Sequence, residues 1–153
     1  MRYLIFIIIT FIFLSCAKKP KYSNIPEISL KSFDIISADS ALLNINFSDG
    51  DGDIGGSPNG EGNFFIVYYF WDNTTNSYYV FKDTTFFQDS IDVRIFASPS
   101  ESNKNKPISG EISLSMSPYR KSKSIKKLKL LVYIKDNSGN KSNIIQTPDT
   151  YAP

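Results

Sequence analysis

The sequence predicts an all-β chain, an antiparallel sandwich of seven to eight short strands, and three observations carry that expectation. Apolar residues recur at alternate positions over most of the chain, as strands with one face in a core require. Clusters of Asn, Asp, Gly and Ser separate these runs, and such residues accept the backbone angles of hairpin turns. No stretch holds a helical repeat.

Strands are expected at 27–36, 40–48, 63–72, 77–82, 89–97, 108–116, 126–135 and 141–147, each bounded by turn residues. In the second, Leu43, Ile45 and Phe47 oppose Leu42, Asn44 and Asn46. The third, from Phe64 to Trp71, is apolar on both faces and reads as a central strand, and Tyr78 to Phe81 follows it across the polar turn at 72–77. In the fifth, Ile91, Val93 and Ile95 oppose Asp92, Arg94 and Phe96, and in the sixth Ile112, Leu114 and Met116 oppose Glu111, Ser113 and Ser115. In the seventh, Leu128, Leu130, Val132 and Ile134 oppose Lys127, Lys129, Leu131, Tyr133 and Lys135. The turn at 136–140 then leads into the last strand, and 149–153 is expected as a frayed tail.

The segment from Val132 to Asn143, with its Asp136-Asn137-Ser138-Gly139-Asn140 turn, resembles the last hairpin of immunoglobulin-like and fibronectin type III-like domains in bacterial surface proteins. The resemblance implies an immunoglobulin-like sandwich over 26–148. In that topology the loop after the second strand and the last hairpin loop emerge at the same end.

The N-terminus is an address. Met1 and Arg2 supply a positive start, Leu4 to Leu14 an apolar run, Ser15 a small residue, and Cys16 follows as the only cysteine of the chain. This is the layout of a signal peptide over 1–15, and its apolar run is too short for a transmembrane helix of ~20 residues. It resembles bacterial lipoproteins, in which such a cysteine is diacylated and becomes the new N-terminus, although Phe13 stands where that family usually carries Leu. The resemblance implies a covalent lipid on Cys16, palmitate-like acyl chains in a membrane, and a tether over 16–25. An unmodified lone thiol on an exported chain would be an oxidation liability. In related lipoproteins acidic residues after the cysteine direct the protein to the surface. Ala17 to Lys21 contains none, which implies an outer-membrane anchor with the domain facing the periplasm.

With one cysteine, intramolecular disulfides are excluded; with no histidine, so are imidazole bases and His-containing zinc sites. The formal net charge is +2, and nucleic acid is not an expected partner of an exported chain. Monomeric behaviour is expected. A non-catalytic binding or structural protein of the cell envelope is the leading functional expectation, with an envelope protein or a glycan as partner.

Two motifs bear on that function. Asp49, Asp51 and Asp53 alternate with Gly50 and Gly52, a pattern of hard oxygen donors on a pliable backbone that suits calcium. Gly55 offers a carbonyl, and Asp136 with Asn137 is expected to approach from the last hairpin; Glu61 and Glu101 are weaker donors. Ile54 and Gly60 stand where an EF-hand needs its turn glycine and its bidentate glutamate, so this is no EF-hand. The competing reading is a solvated Asp/Gly turn whose glycines serve only the backbone, and, for a hydrolase, so exposed a loop would offer little desolvation to raise a carboxyl pKa. The D-G-D-G-D-I-G run is also similar to a segment of uncharacterised lipoproteins of outer-membrane bacteria. The second motif is aromatic: Tyr69, Trp71 and Tyr79 form a candidate glycan platform, unless their strands are simply a covered core. A carboxylate-only glycoside hydrolase is the enzyme class that the missing His and Cys leave open. The lysine-rich run 120–129 reads as a solvated loop that discourages edge pairing.

Overall fold

The computed structural model describes residues 21–56, 62–80, 82–83, 88–89, 91–94, 105–119, 124–151 and 153. Among them lie eleven strands and no helix. They are β1 (Glu27–Ile35), β2 (Ala41–Asp49), β3 (Phe64–Asp72), β4 (Ser77–Val80), β5 (Lys82–Asp83) and β6 (Gln88–Asp89), followed by β7 (Ile91–Arg94), β8 (Ile108–Met116), β9 (Lys127–Ile134), β10 (Ile145–Gln146) and β11 (Thr150–Tyr151).

Two antiparallel sheets face each other. The first has the order β1-β2-β8. The second runs β10-β9-β3-β4, with β11 continuing the β10 edge along β9 and β7 continuing the β4 edge along β3. β5 and β6 form a separate two-stranded ribbon. The alternation read in the sequence is the alternation of burial. Leu43, Ile45 and Phe47 face inward from β2, Phe64, Ile66, Tyr68 and Phe70 from β3, and Leu128, Leu130, Val132 and Ile134 from β9. These side chains form one core between the sheets, joined by Ile28, Ile54, Met116 and Tyr119, as a two-layer β architecture requires.

β3 is the central strand its apolarity predicts, with β9 on one edge and β4 and β7 on the other. The last expected strand, 141–147, is a strand only in part. Side chains replace the missing ladder: Ile134 N–H donates to Ser142 Oγ at 3.0 Å and Leu130 N–H to Thr147 Oγ1 at 2.9 Å. Both hydroxyl residues are buried, so the substitution keeps β9 fully paired. Thr150 and Tyr151, expected in a frayed tail, instead pair with Leu128 and Lys127. The two residues complete the β9 edge that β10 leaves open.

Candidate metal centre

The parity of two strands builds the site. In β2 the positions 41, 43, 45 and 47 point inward, and Asp49 is the next inward position. In β9 the positions 128, 130, 132 and 134 point inward, and Asp136 is the next. Each carboxylate therefore faces the end of the core rather than solvent. Asp49 is 0% exposed and Asp136 6%.

Beyond Asp49 the backbone curls back. Gly52, Gly55 and Gly56 have φ of 71°, 84° and 68°, a region open to glycine at little cost. Ile54, fully buried, pins the loop to the core and bridges to Asp136. Ligand oxygens of Asp49, Asp51 and Asp53 lie within 4.8 Å of one another. One ion with oxygen ligands at about 2.4 Å spans that distance.

The carboxylate oxygens are short of donors. Both oxygens of Asp49, Oδ1 of Asp51 and Oδ1 of Asp53 are buried without a hydrogen-bond partner. Burial, and then the negative charge of Asp51, Asp53 and Asp136, pushes the Asp49 pKa up to about 6. The Gly52 amide faces Asp49 and counters this only in part, short of hydrogen-bond geometry to either oxygen. Asp51 is also raised, by burial first and Asp53 second. The loop is thus not the open, fully solvated turn of the competing sequence reading. Strand β2 runs one residue further than its polarity predicts and carries Asp49 into the interior.

The last hairpin does approach the loop. Asn137 N–H donates to the Asp53 carbonyl at 3.2 Å, Asn137 Nδ2 to the Gly55 carbonyl at 3.0 Å, and Ser138 Oγ to Asp53 Oδ2 at 2.6 Å. Asp136 accepts from the Asn140 amide at 2.7 Å and from Asn140 Nδ2 at 2.8 Å. Its role in this geometry is to close the hairpin and add negative charge behind Asp49. The Gly55 carbonyl likewise serves Asn137. Among the described residues, Asp49, Asp51 and Asp53 are the group able to hold a metal ion, and their all-oxygen chemistry is compatible with calcium. Ser138 orients Asp53 and Ile54 anchors the loop, two roles beyond the turn position and the EF-hand mismatch that the sequence marks; the signal for the second is an isolated apolar residue inside an Asp/Gly run. Glu61 and Glu101 lie outside the described residues.

The aromatic residues divide. Tyr69 and Trp71 lie on the outer face of β3, whereas Tyr79 pairs with Phe70 and shares its inward side at the sheet edge, 43% exposed. Tyr78, opposite Trp71, is the ring that joins the outer face, 5.1 Å from it centroid to centroid. Lysines of β9 cover these rings. Lys127 Nζ sits 4.3 Å from the Trp71 centroid and Lys129 Nζ 4.3 Å from that of Tyr78. Further along, Phe65 and Tyr133 stack at 4.7 Å, with Lys135 and Lys141 over them. Lys127 and Lys129 are therefore strand residues of a lysine-capped sheet face rather than loop residues, which cation–π attraction and apolar stems both favour. Residues 120–123 of the basic run, and Phe86 and Phe87, lie outside the described residues.

No protein family, curated protein or solved structure matches the chain.

Proposed function

We propose that this chain is a lipid-anchored cell-envelope protein with an immunoglobulin-like sandwich, acting as a binding or structural component without catalysis and carrying calcium in the Asp49–Asp53 loop. The observation that carries the ion is Asp49. A carboxylate held in the interior with neither oxygen paired is costly, and a cation shared with Asp51 and Asp53 removes both the desolvation and the repulsion. Calcium suits the site better than a softer metal, because every available donor is oxygen.

Other observations support the remaining parts. The sheet orders β1-β2-β8 and β10-β9-β3-β4 support an immunoglobulin-like reading, in which the first two strands share one sheet and the third lies beside the last hairpin in the other. The Met1–Cys16 segment carries the anchor. Three carboxylates each offering an oxygen within 4.8 Å of the others suit one shared cation. The glycan alternative draws less support, since Tyr79 lies on the other face of the sheet from Tyr69 and Trp71 and lysines sit over the outer rings.

Calorimetric titration of the protein with calcium, after chelator treatment and dialysis, tests the ion site. One equivalent bound with a rise in melting temperature is the expected result; no heat and no thermal shift at millimolar calcium would leave a plain turn. Intact mass of membrane-extracted protein, beginning at an acylated Cys16, tests the anchor separately.

A further inference from the structure

We infer that the ion in the Asp49–Asp53 loop latches the N-terminal tether onto the domain, and that undocking the tether weakens the ion; this rests on the calcium reading above. Asp49, fully buried with both oxygens lacking a donor, is what points to a ligand in the loop. The tether is what the loop holds on its other side.

The Gly50 amide donates to the Ser23 carbonyl at 2.7 Å. A Cβ on Gly50 would lie 2.6 Å from the Tyr22 carbonyl oxygen and 2.8 Å from Asn24 Oδ1, so the segment packs on bare backbone that only glycine provides. Tyr22 reaches on to β8, where its hydroxyl donates to Ser109 Oγ at 3.2 Å. The Ile25 amide donates to Ser23 Oγ and fixes the local bend. Residues 22–25 are thus seated on the domain, although their polar sequence reads as free linker.

Gly50 lies between Asp49 and Asp51. The backbone that docks on Ser23 therefore carries two of the three carboxylates, one on either side. Without a cation the carboxylates repel one another, and relief of that repulsion by movement of the loop backbone would disturb the Gly50–Ser23 bond. Ion binding and tether docking are therefore linked, and linkage acts equally in both directions. Release of residues 22–25 adds roughly 13 Å of free chain at ~3.3 Å per residue. Calcium would thus set how closely the domain is held to its anchor.

The test is proteolysis of the full chain in detergent by a lysyl endopeptidase that needs no calcium, followed by mass spectrometry of the product beginning at Tyr22. Lys21 is exposed, but cleavage after it requires Tyr22 and Ser23 to leave Gly50 and Ser109. Saturating calcium is expected to slow this cut about fivefold or more, the usual size of a coupling between sites. Ser109→Ala, which removes the acceptor of the Tyr22 hydroxyl and leaves the three carboxylates in place, should restore fast cutting in calcium and weaken calcium binding in calorimetry. Gly50→Ala should act the same way and more strongly; where it fails to fold, Ser109→Ala carries the test. Calcium heat without protection of the Lys21–Tyr22 bond overturns the latch and leaves the ion site standing. Absence of calcium heat overturns both.

Discussion

The side-chain amide of Asn143 accepts from the Ile28 amide and donates to the Ile28 carbonyl, each at 2.8 Å, across 115 positions of chain. Asn143 thereby stands in for a neighbouring strand. It ties the outer edge of β1, in one sheet, to the segment that edges the other. Ile28 is itself in the core, so its backbone groups have little access to water as an alternative partner.

Asn143→Ala should therefore destabilise the fold by about 1–3 kcal/mol, the cost of stranding buried backbone groups. Asn143→Asp keeps the acceptor but loses the donor, and should fall between the two. Urea denaturation measures both. A loss within about 0.5 kcal/mol of zero for Asn143→Ala, typical of surface changes, would mean the sheet edge is held otherwise.

Asp49→Asn separates the cost of the charge from the benefit of the ion. In chelator, removing one of three crowded carboxylates should raise stability by roughly 1–3 kcal/mol, since the lost repulsion exceeds the lost solvation of a group already buried. In calcium the variant should show no further thermal shift. Wild type should show the opposite pattern, weaker in chelator and stronger in calcium. Thermal melts of both proteins in both buffers give the cycle, and a calcium shift that survives in Asp49→Asn would remove Asp49 from the site.

Much of this was legible from residue order. The period-two alternation of β2 and β9 fixes which side chains reach the core, and the Asn/Asp/Gly turns fix the hairpins. An aspartate normally falls outside a strand, and here it is the last residue of one. Asp49 is polar, yet continuing the parity of Leu43, Ile45 and Phe47 by one step places it inside. The grouping of Tyr79 with Tyr69 and Trp71 meets the same parity, for Tyr79 lies on the other face. The pairing of Asp72 with Ser77 puts Tyr78, not Tyr79, opposite Trp71, and a one-residue change of register exchanges faces. The β11 pairing and the Tyr22–Asn24 docking depend on contacts across most of the chain, which no local pattern encodes.

Parity also predicts unequal effects from adjacent leucines in β9. Leu130 is 0% exposed within the core, whereas Leu131 lies on the outer, half-buried face. Leu130→Ala should cost about 2–5 kcal/mol, as for other enclosed large-to-small changes. Leu131→Ala should cost about 1 kcal/mol or less, in proportion to the smaller area it covers. Equal losses in denaturant melts would contradict the assigned faces.

Tyr78 gives the pH prediction. Its hydroxyl is buried, and that burial, followed by the adjacent Asp149 carboxylate, pushes its pKa from 10.0 up to about 12. Asp149 also pairs with Lys127 at 2.9 Å, so the group belongs to the lysine-capped face of the second sheet. Below pH 10 the phenol is neutral folded or unfolded and pH has no effect through it. Between pH 10 and 12 the unfolded chain releases a proton that the folded chain keeps, so stability falls as pH rises across that window. Ultraviolet titration of the native protein should accordingly show a tyrosine component ionising near pH 12, absent in Tyr78→Phe. Asp149→Asn, by removing the second cause, should bring that component partway back toward 10. A native titration in which every tyrosine ionises near 10, under conditions where the fold persists, would show that the Tyr78 hydroxyl is open to water and that β11 does not close over this face.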